Sequence, residues 1–180
     1  MRPAYLRVLS LAVMITIALL QDSGRAMAEV PVGPANYVAC PGTTGVAARY
    51  TGPKAPYRCH SAVKAPNGVV VILRQGVSDG SGANGFGFLH ALRDHNVSDH
   101  AVERVVSSAF PLTAPRGRVR FIAYFRAHND QIMTVWVEVD LKPSKDAPDN
   151  EPFGVVTAYC KLPASANPES RCPDWVNESL

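Results

Sequence analysis

The sequence predicts an α+β fold: two or three helices packed on a small antiparallel sheet, with disulfide-tethered irregular segments at both ends. Three observations predict it. Residues 118–162 carry three runs in which apolar and polar side chains alternate, the period of a strand with one buried face. Val102, Val105, Val106, Ala109 and Phe110 fall on i, i+3, i+4, i+7, i+8, the stripe of an amphipathic helix. Four cysteines follow an N-terminal leader.

In chain order, residues 1–28 read as a signal peptide. Arg2 and Arg7 precede the apolar run Val8–Leu20, and Ala26-Met27-Ala28 gives the small-x-small pattern of a cleavage site. A run of 13 residues is short for a bilayer span. Cleavage after Ala28 leaves 180 − 28 = 152 residues, enough for one domain with its own core. It also removes Arg2, Arg7, Arg25 and Asp22, so the net charge falls from +3 to +1. No global field then points to nucleic acid or to a membrane, and any anion site must be local. The expected location is secreted or extracytoplasmic, with no membrane association after cleavage.

Residues 29–65 show no sustained period and read as an irregular tethered segment, with one short strand around Val46–Tyr50; residues 66–180 form the α+β domain. An even cysteine count in an exported chain reads as two disulfides. Cys40–Cys59 and Cys160–Cys172 are the favoured pairs, because each flanks a Pro/Gly-rich stretch that needs tethering. No C-x-x-C spacing is present, and neither a metal nor a cofactor is expected. Val69–Leu73 is a buried-strand signal between two glycine-containing turns. Phe86–His95 is a short helix ending at Asn96. Ser98 caps a second helix, with Asp99 in its first turn and Pro111 beyond its end. Each of the three strands then has an apolar face: Val119, Phe121, Ala123 and Phe125; Met133, Val135, Val137, Val139 and Leu141; Val156, Ala158, Cys160 and Leu162. The second helix covers these faces, which leaves the polar sheet face open.

Candidate chemistry lies in two places. Gly80–Gly85 matches G-x-G-x-x-G, but six residues separate it from the preceding strand, so the tight turn of a dinucleotide site is missing. A flexible loop and an anion-binding nest remain as its readings. His90 and His95 follow it, turned about 140° apart on a helix, and His90 can pair with Asp94 one turn on. On the sheet face, Arg120, Tyr124 and Arg126 line up beside Thr134, Trp136 and Glu138, with Thr157 and Tyr159 on the third strand. Guanidinium groups, hydroxyls and an aromatic can hold a phosphodiester and stack a base; the same residues also make ordinary cross-strand pairs.

The order GFGFLHALRDHN, a second helix, FIAYF, TVWVEVD and GVVTAYC, spanning about Gly85–Cys160, resembles the C-terminal modules of bacterial polymorphic toxins in the barnase/EndoU/colicin/RelE-like ribonuclease group. The resemblance implies metal-independent acid/base cleavage of RNA. By position it implies His90 and His95 as the helix histidines, Arg120 as a phosphate contact, and Thr157 and Tyr159 as terminal-strand hydroxyls. Arg126, Tyr124 and Thr134 would contact substrate, and RNA and an immunity or other protein would be the partners. The rival expectation is a non-catalytic exported domain that binds a protein or a cell-wall component. Convergence of His90, Arg120, Thr157 and Tyr159 on one concave pocket, or their scatter, separates the two.

Overall fold

A computed structural model describes residues 28–29, 35–41, 50–147, 149–161 and 171–178. In chain order the elements are β1 (Ala28–Glu29), β2 (Cys59–Lys64), β3 (Val70–Arg74), β4 (Val77–Ser78), β5 (Gly85–Phe86), α1 (Gly87–His95), α2 (Asp99–Ser108), β6 (Leu112–Thr113), β7 (Val119–Arg126), β8 (Ile132–Pro143), β9 (Pro152–Lys161) and α3 (Trp175–Glu178). The chain is α+β. Strands β7, β8 and β9 form an antiparallel meander, and β6 (antiparallel) and β1 (parallel) both pair with β7. Two small antiparallel pairs, β2–β3 and β4–β5, stand beside it. Ala28, the last residue of the expected leader, lies in β1 opposite Ala123; residues 1–27 lie outside the described residues.

The alternation in β7 and β8 places the core. Phe121 faces Val137 and Ala123 faces Val135 in register, and all four are fully buried. Ala101, Val102, Val105 and Val106 of α2 close over them. Each fully buried valine contributes about 1.5–3 kcal/mol. The Ser98 hydroxyl accepts from the Ala101 N–H at 3.2 Å and so caps α2.

Several expectations are corrected. Phe110 is 66 % exposed rather than buried. Ala109 has already left the helix (φ −106°, ψ 150°), because the residues ahead of Pro111 turn extended. In β9 a bulge shifts the pattern: Glu138 pairs with Thr157, but Val139 pairs with Val155. Val155, not Val156, therefore enters the core, and Val156 is turned to the other face. Residues 59–64 are not irregular; they form β2, whose short apolar pair Ala62-Val63 gives no alternating signal. The polar sheet face is not open throughout, since Thr134, Thr157 and Tyr159 are buried. The strand expected around Val46–Tyr50 and the end of β9 at Leu162 lie outside the described residues, Tyr50 apart.

Both expected disulfides are present, Cys40–Cys59 and Cys160–Cys172. Closing loops of this size stabilises by about 3 kcal/mol each in the chain-entropy model. The first ties residues 35–41 to β2, where Tyr37 also bridges Val63. The second fastens the C-terminal segment under α1: the Cys172 N–H donates to the His95 carbonyl at 2.7 Å, and the Asn96 amide donates to the Cys172 carbonyl at 2.8 Å. Such bridges persist in oxidising, extracytoplasmic compartments. Among the described residues no helix is long and apolar enough to cross a membrane.

Strand β3 lies against β9. At Gly154 (φ +88°) a Cβ would fall 2.1 Å from the Ile72 carbonyl oxygen, so only glycine lets the two strands approach. Arg74 ends β3 and is completely buried, with its guanidinium paired to Asp149 at 2.8 and 3.0 Å.

Candidate functional site

The glycine-rich stretch is an ordered loop between β4 and β5. Asp79 organises it by accepting hydrogen bonds from the Ser81 N–H (2.9 Å), the Ser81 hydroxyl (2.6 Å) and the Asn84 amide (2.9 Å). These bonds hold its carboxyl down at about 2. The loop returns through Gly85 (φ +145°), where a Cβ would fall 2.7 Å from Nδ1 of His90. The absence of a side chain there is what admits the imidazole.

His90 lies in the first half of α1, and its Nδ1–H donates to Asp94 Oδ2 at 2.6 Å, the i, i+4 pair that the helix spacing allows. The Ser78 hydroxyl donates to the other oxygen of Asp94, also at 2.6 Å. Burial raises the Asp94 pKa, but the hydrogen bonds from Ser78 and His90 outweigh it and hold the carboxyl below its ordinary range. An ionised carboxylate on Nδ1 fixes the ring orientation and leaves Nε2 for other work. Nε2 has no hydrogen-bond partner among the described residues.

Glu138, on β8, stands across from this pair. Arg120, opposite it on β7, donates to Oε1 at 2.5 Å, and Arg118 lies 3.6 Å from Oε2. The Tyr159 hydroxyl donates to Oε1 at 3.4 Å. The Arg120 guanidinium lies 4.3 Å from the centre of the Trp136 ring. Between these groups is a cavity of about 420 Å³. Its wall includes His90 and the glycine-rich loop on one side; Glu138, Thr157 and Val156 come from the sheet, and Arg116 and Arg118 from the turn before β7. The β9 bulge is what turns Val156 to this wall beside Thr157.

Of the residues singled out in the sequence, His90 and Thr157 share the cavity wall, while Arg120 and Tyr159 meet it through Glu138. His95 stands outside the wall. It is 4 % exposed, its ring meets the His90 ring edge-on at 4.9 Å, and the Tyr159 ring lies 6.0 Å away. Burial, with the neighbouring His90, pushes its pKa below the ordinary value, so its ring is neutral near pH 7. Tyr124, Thr134 and Arg126 lie farther along the face: Tyr124 faces Thr134, and Arg126 reaches Asp130 at 3.5 Å. Three buried polar atoms of this region, Thr157 Oγ1, Arg120 Nε and His95 Nε2, have no hydrogen-bond partner among the described residues. Ser61 Oγ, Arg104 Nη2 and Thr134 Oγ1, away from the cavity wall, are in the same condition, so the three here are compatible with a ligand contact or an ordered water alike. Among those residues, no group of three or more His, Cys, Asp or Glu is arranged to hold a metal ion.

Sequence reasoning placed Glu138 on the correct face but gave it no acid/base role, since a glutamate opposite an arginine reads as a cross-strand pair. Arg116 gave no signal at all: it sits at φ 62° in an irregular turn. No protein-family model, curated protein or solved structure matches this chain significantly.

Proposed function

We propose that this protein is an exported, ribonuclease-like toxin domain that cleaves RNA by metal-independent acid/base catalysis. The observation that carries the reading is that one cavity brings together two proton-transfer groups of opposite character. Glu138 is a carboxylate flanked by Arg118 and Arg120; His90 is an imidazole backed by the Asp94 carboxylate. The leader-like N-terminus and the two disulfides support export.

In this reading the Glu138 carboxylate removes the proton from a ribose 2′-OH. The freed oxygen attacks the adjacent phosphorus, and the bond from phosphorus to the 5′-oxygen breaks. His90, protonated, gives its Nε2 proton to that departing oxygen. The products are a 2′,3′-cyclic phosphate and a free 5′-hydroxyl. Arg118 and Arg120 offset the negative charge that grows on the non-bridging oxygens. The unpartnered Thr157 hydroxyl is available to one of them. His95 and Tyr159 support His90 and Glu138 from behind and touch no reacting atom.

The test is gel-resolved cleavage of total RNA by the mature, disulfide-intact protein, with and without EDTA. Cleavage that survives EDTA and yields cyclic-phosphate ends supports the reading. Absence of cleavage moves the assignment to the non-catalytic exported binding domain.

A further inference from the structure

The two disulfides hold different parts of the molecule. Cys40–Cys59 is partly exposed and fastens residues 35–41 to β2. Through the Tyr37 hydroxyl, which donates to Glu103 at 2.6 Å, it also steadies that segment on α2. None of these residues lines the cavity. Cys160–Cys172 is buried, at 0 % and 3 % exposure. Cys160 follows Tyr159, whose hydroxyl donates to Glu138. Cys172 belongs to the segment that finishes α1. Its N–H donates to the His95 carbonyl, Arg171 Nη1 donates to the Arg93 carbonyl at 2.7 Å, and Asn177 Nδ2 donates to the Asn96 carbonyl at 3.1 Å. The Asn96 amide donates in turn to the Cys172 carbonyl and to Asp174, both at 2.8 Å. The last carbonyls of a helix have no partner within it, and a helix of 9 residues is too short to persist alone. The last turn of α1 carries His95 and Asp94, the carboxylate that orients His90. Its order therefore rests on partners 76 to 81 positions away, and the buried disulfide ties those partners to β9.

Resting on the ribonuclease reading, we infer that oxidation of this one cysteine pair switches the site on. In the reduced chain α2 still packs on β7 and β8, because Ala101, Val102, Val105 and Val106 meet Phe121, Ala123, Val135 and Val137 without the C-terminal segment. Reduced Cys160 and Cys172 are small apolar side chains that a core accommodates. The first turn of α1 also stays, held by the Leu89 N–H on the Gln75 carbonyl at 3.0 Å. The last turn frays, and Asp94 no longer holds His90 toward Glu138. On oxidation the two thiols pass two electrons and two protons to a small disulfide, which leaves as two thiols, and the bond between Cys160 and Cys172 forms. A sequence separation of 12 makes this closure worth on the order of 100-fold in the docked population of the segment. A thiol-rich compartment, where a chain with a leader is made, keeps the site silent; an oxidising one completes it.

The test uses the mature Cys40→Ala/Cys59→Ala protein, in which Cys160–Cys172 is the one bridge left, refolded with oxidised glutathione or with dithiothreitol. Amide hydrogen exchange and RNA cleavage are read on both forms. The probes are the Asn96 and Val97 N–H groups, which close the end of α1 on the Leu92 and Ala91 carbonyls, against Phe121 and Val137 in the sheet. Reduction should speed exchange at Asn96 and Val97 on the order of 100-fold and lower cleavage by a similar factor. Phe121 and Val137 should stay within about 3-fold. Wild type beside Cys160→Ala/Cys172→Ala makes the same comparison with the first bridge kept, should the other variant fail to fold. Unchanged exchange at Asn96 and Val97 overturns the inference. So does an equal rise at Phe121 and Val137, which would make the bridge a general support, and so does equal cleavage in the two redox forms. No cleavage in either form overturns the ribonuclease reading instead, and the exchange contrast then still decides whether the bridge orders the end of α1.

Discussion

Arg74 and Arg120 each reach a carboxylate across the fold, and the two pairs end up in opposite conditions. Arg74 uses every donor it has: Nε to the Phe153 carbonyl, Nη1 to Asp149 and the Tyr57 carbonyl, Nη2 to Asp149 and the Pro152 carbonyl. It joins β3, the 3₁₀ turn Gly52–Tyr57, the loop before β9 and the first two residues of β9, with 0 % of its side chain exposed. Arg120 gives one nitrogen to Glu138, lies over Trp136, and leaves Nε buried without a partner among the described residues. Its carboxylate faces a cavity. A saturated pair holds a structure together, whereas an unsaturated pair beside a recess is available to something else.

The largest expected effect falls on the saturated pair. Arg74→Ala strands the Asp149 charge in the interior and should cost about 3–5 kcal/mol in denaturant unfolding. A loss below about 1 kcal/mol would break the contrast. Phe121→Ala should cost a similar 3–5 kcal/mol or so by opening a cavity between α2 and the sheet, and an unchanged melting temperature would reject the face assignment of β7. Gly85→Ala is a smaller change with a divided outcome. The strained φ should cost about 1–3 kcal/mol, and the methyl group should displace His90. Cleavage should therefore fall further than the folded fraction does, and activity that tracks stability alone would separate Gly85 from the site.

The smallest effect is on pH dependence. His95 has a folded pKa below its ordinary value, so the unfolded chain binds the proton more readily. The stability it contributes is complete above about 6.5 and is lost as pH falls from there toward the folded value. His95→Gln should flatten unfolding free energy against pH in that window, as measured by urea titrations. An identical slope in both proteins would mean that His95 is not buried in its neutral form.

The contrast also explains what could be read in advance. β7 and β8 were legible because Phe121, Ala123, Val135 and Val137 alternate without interruption, and both disulfides followed from the segments that they tether. The Val156 bulge was not, because an inserted residue reverses the phase of everything before it and has no composition of its own. Arg74 reads as the first polar residue after an apolar run, so its burial depends on partners 17 to 79 positions away. The site was half legible: the His90–Asp94 spacing lies within one helix, but Glu138 becomes its counterpart only when α1 and the glycine-rich loop come against β9. Chemistry within one element is visible to period and spacing, and chemistry between elements is not.

The most direct measurement of the central claim compares His90→Gln and Glu138→Gln with the wild type, in RNA cleavage and in chemical denaturation together. Gln at 90 keeps a donor for Asp94, and the Glu138 pair is partly exposed, so both variants should stay within about 1 kcal/mol of wild-type stability. Each should lose cleavage on the order of 10²–10⁴-fold. Wild-type cleavage in either variant would remove that residue from the chemistry. A loss of stability as large as that of Arg74→Ala would show that the unsaturated pair is structural after all.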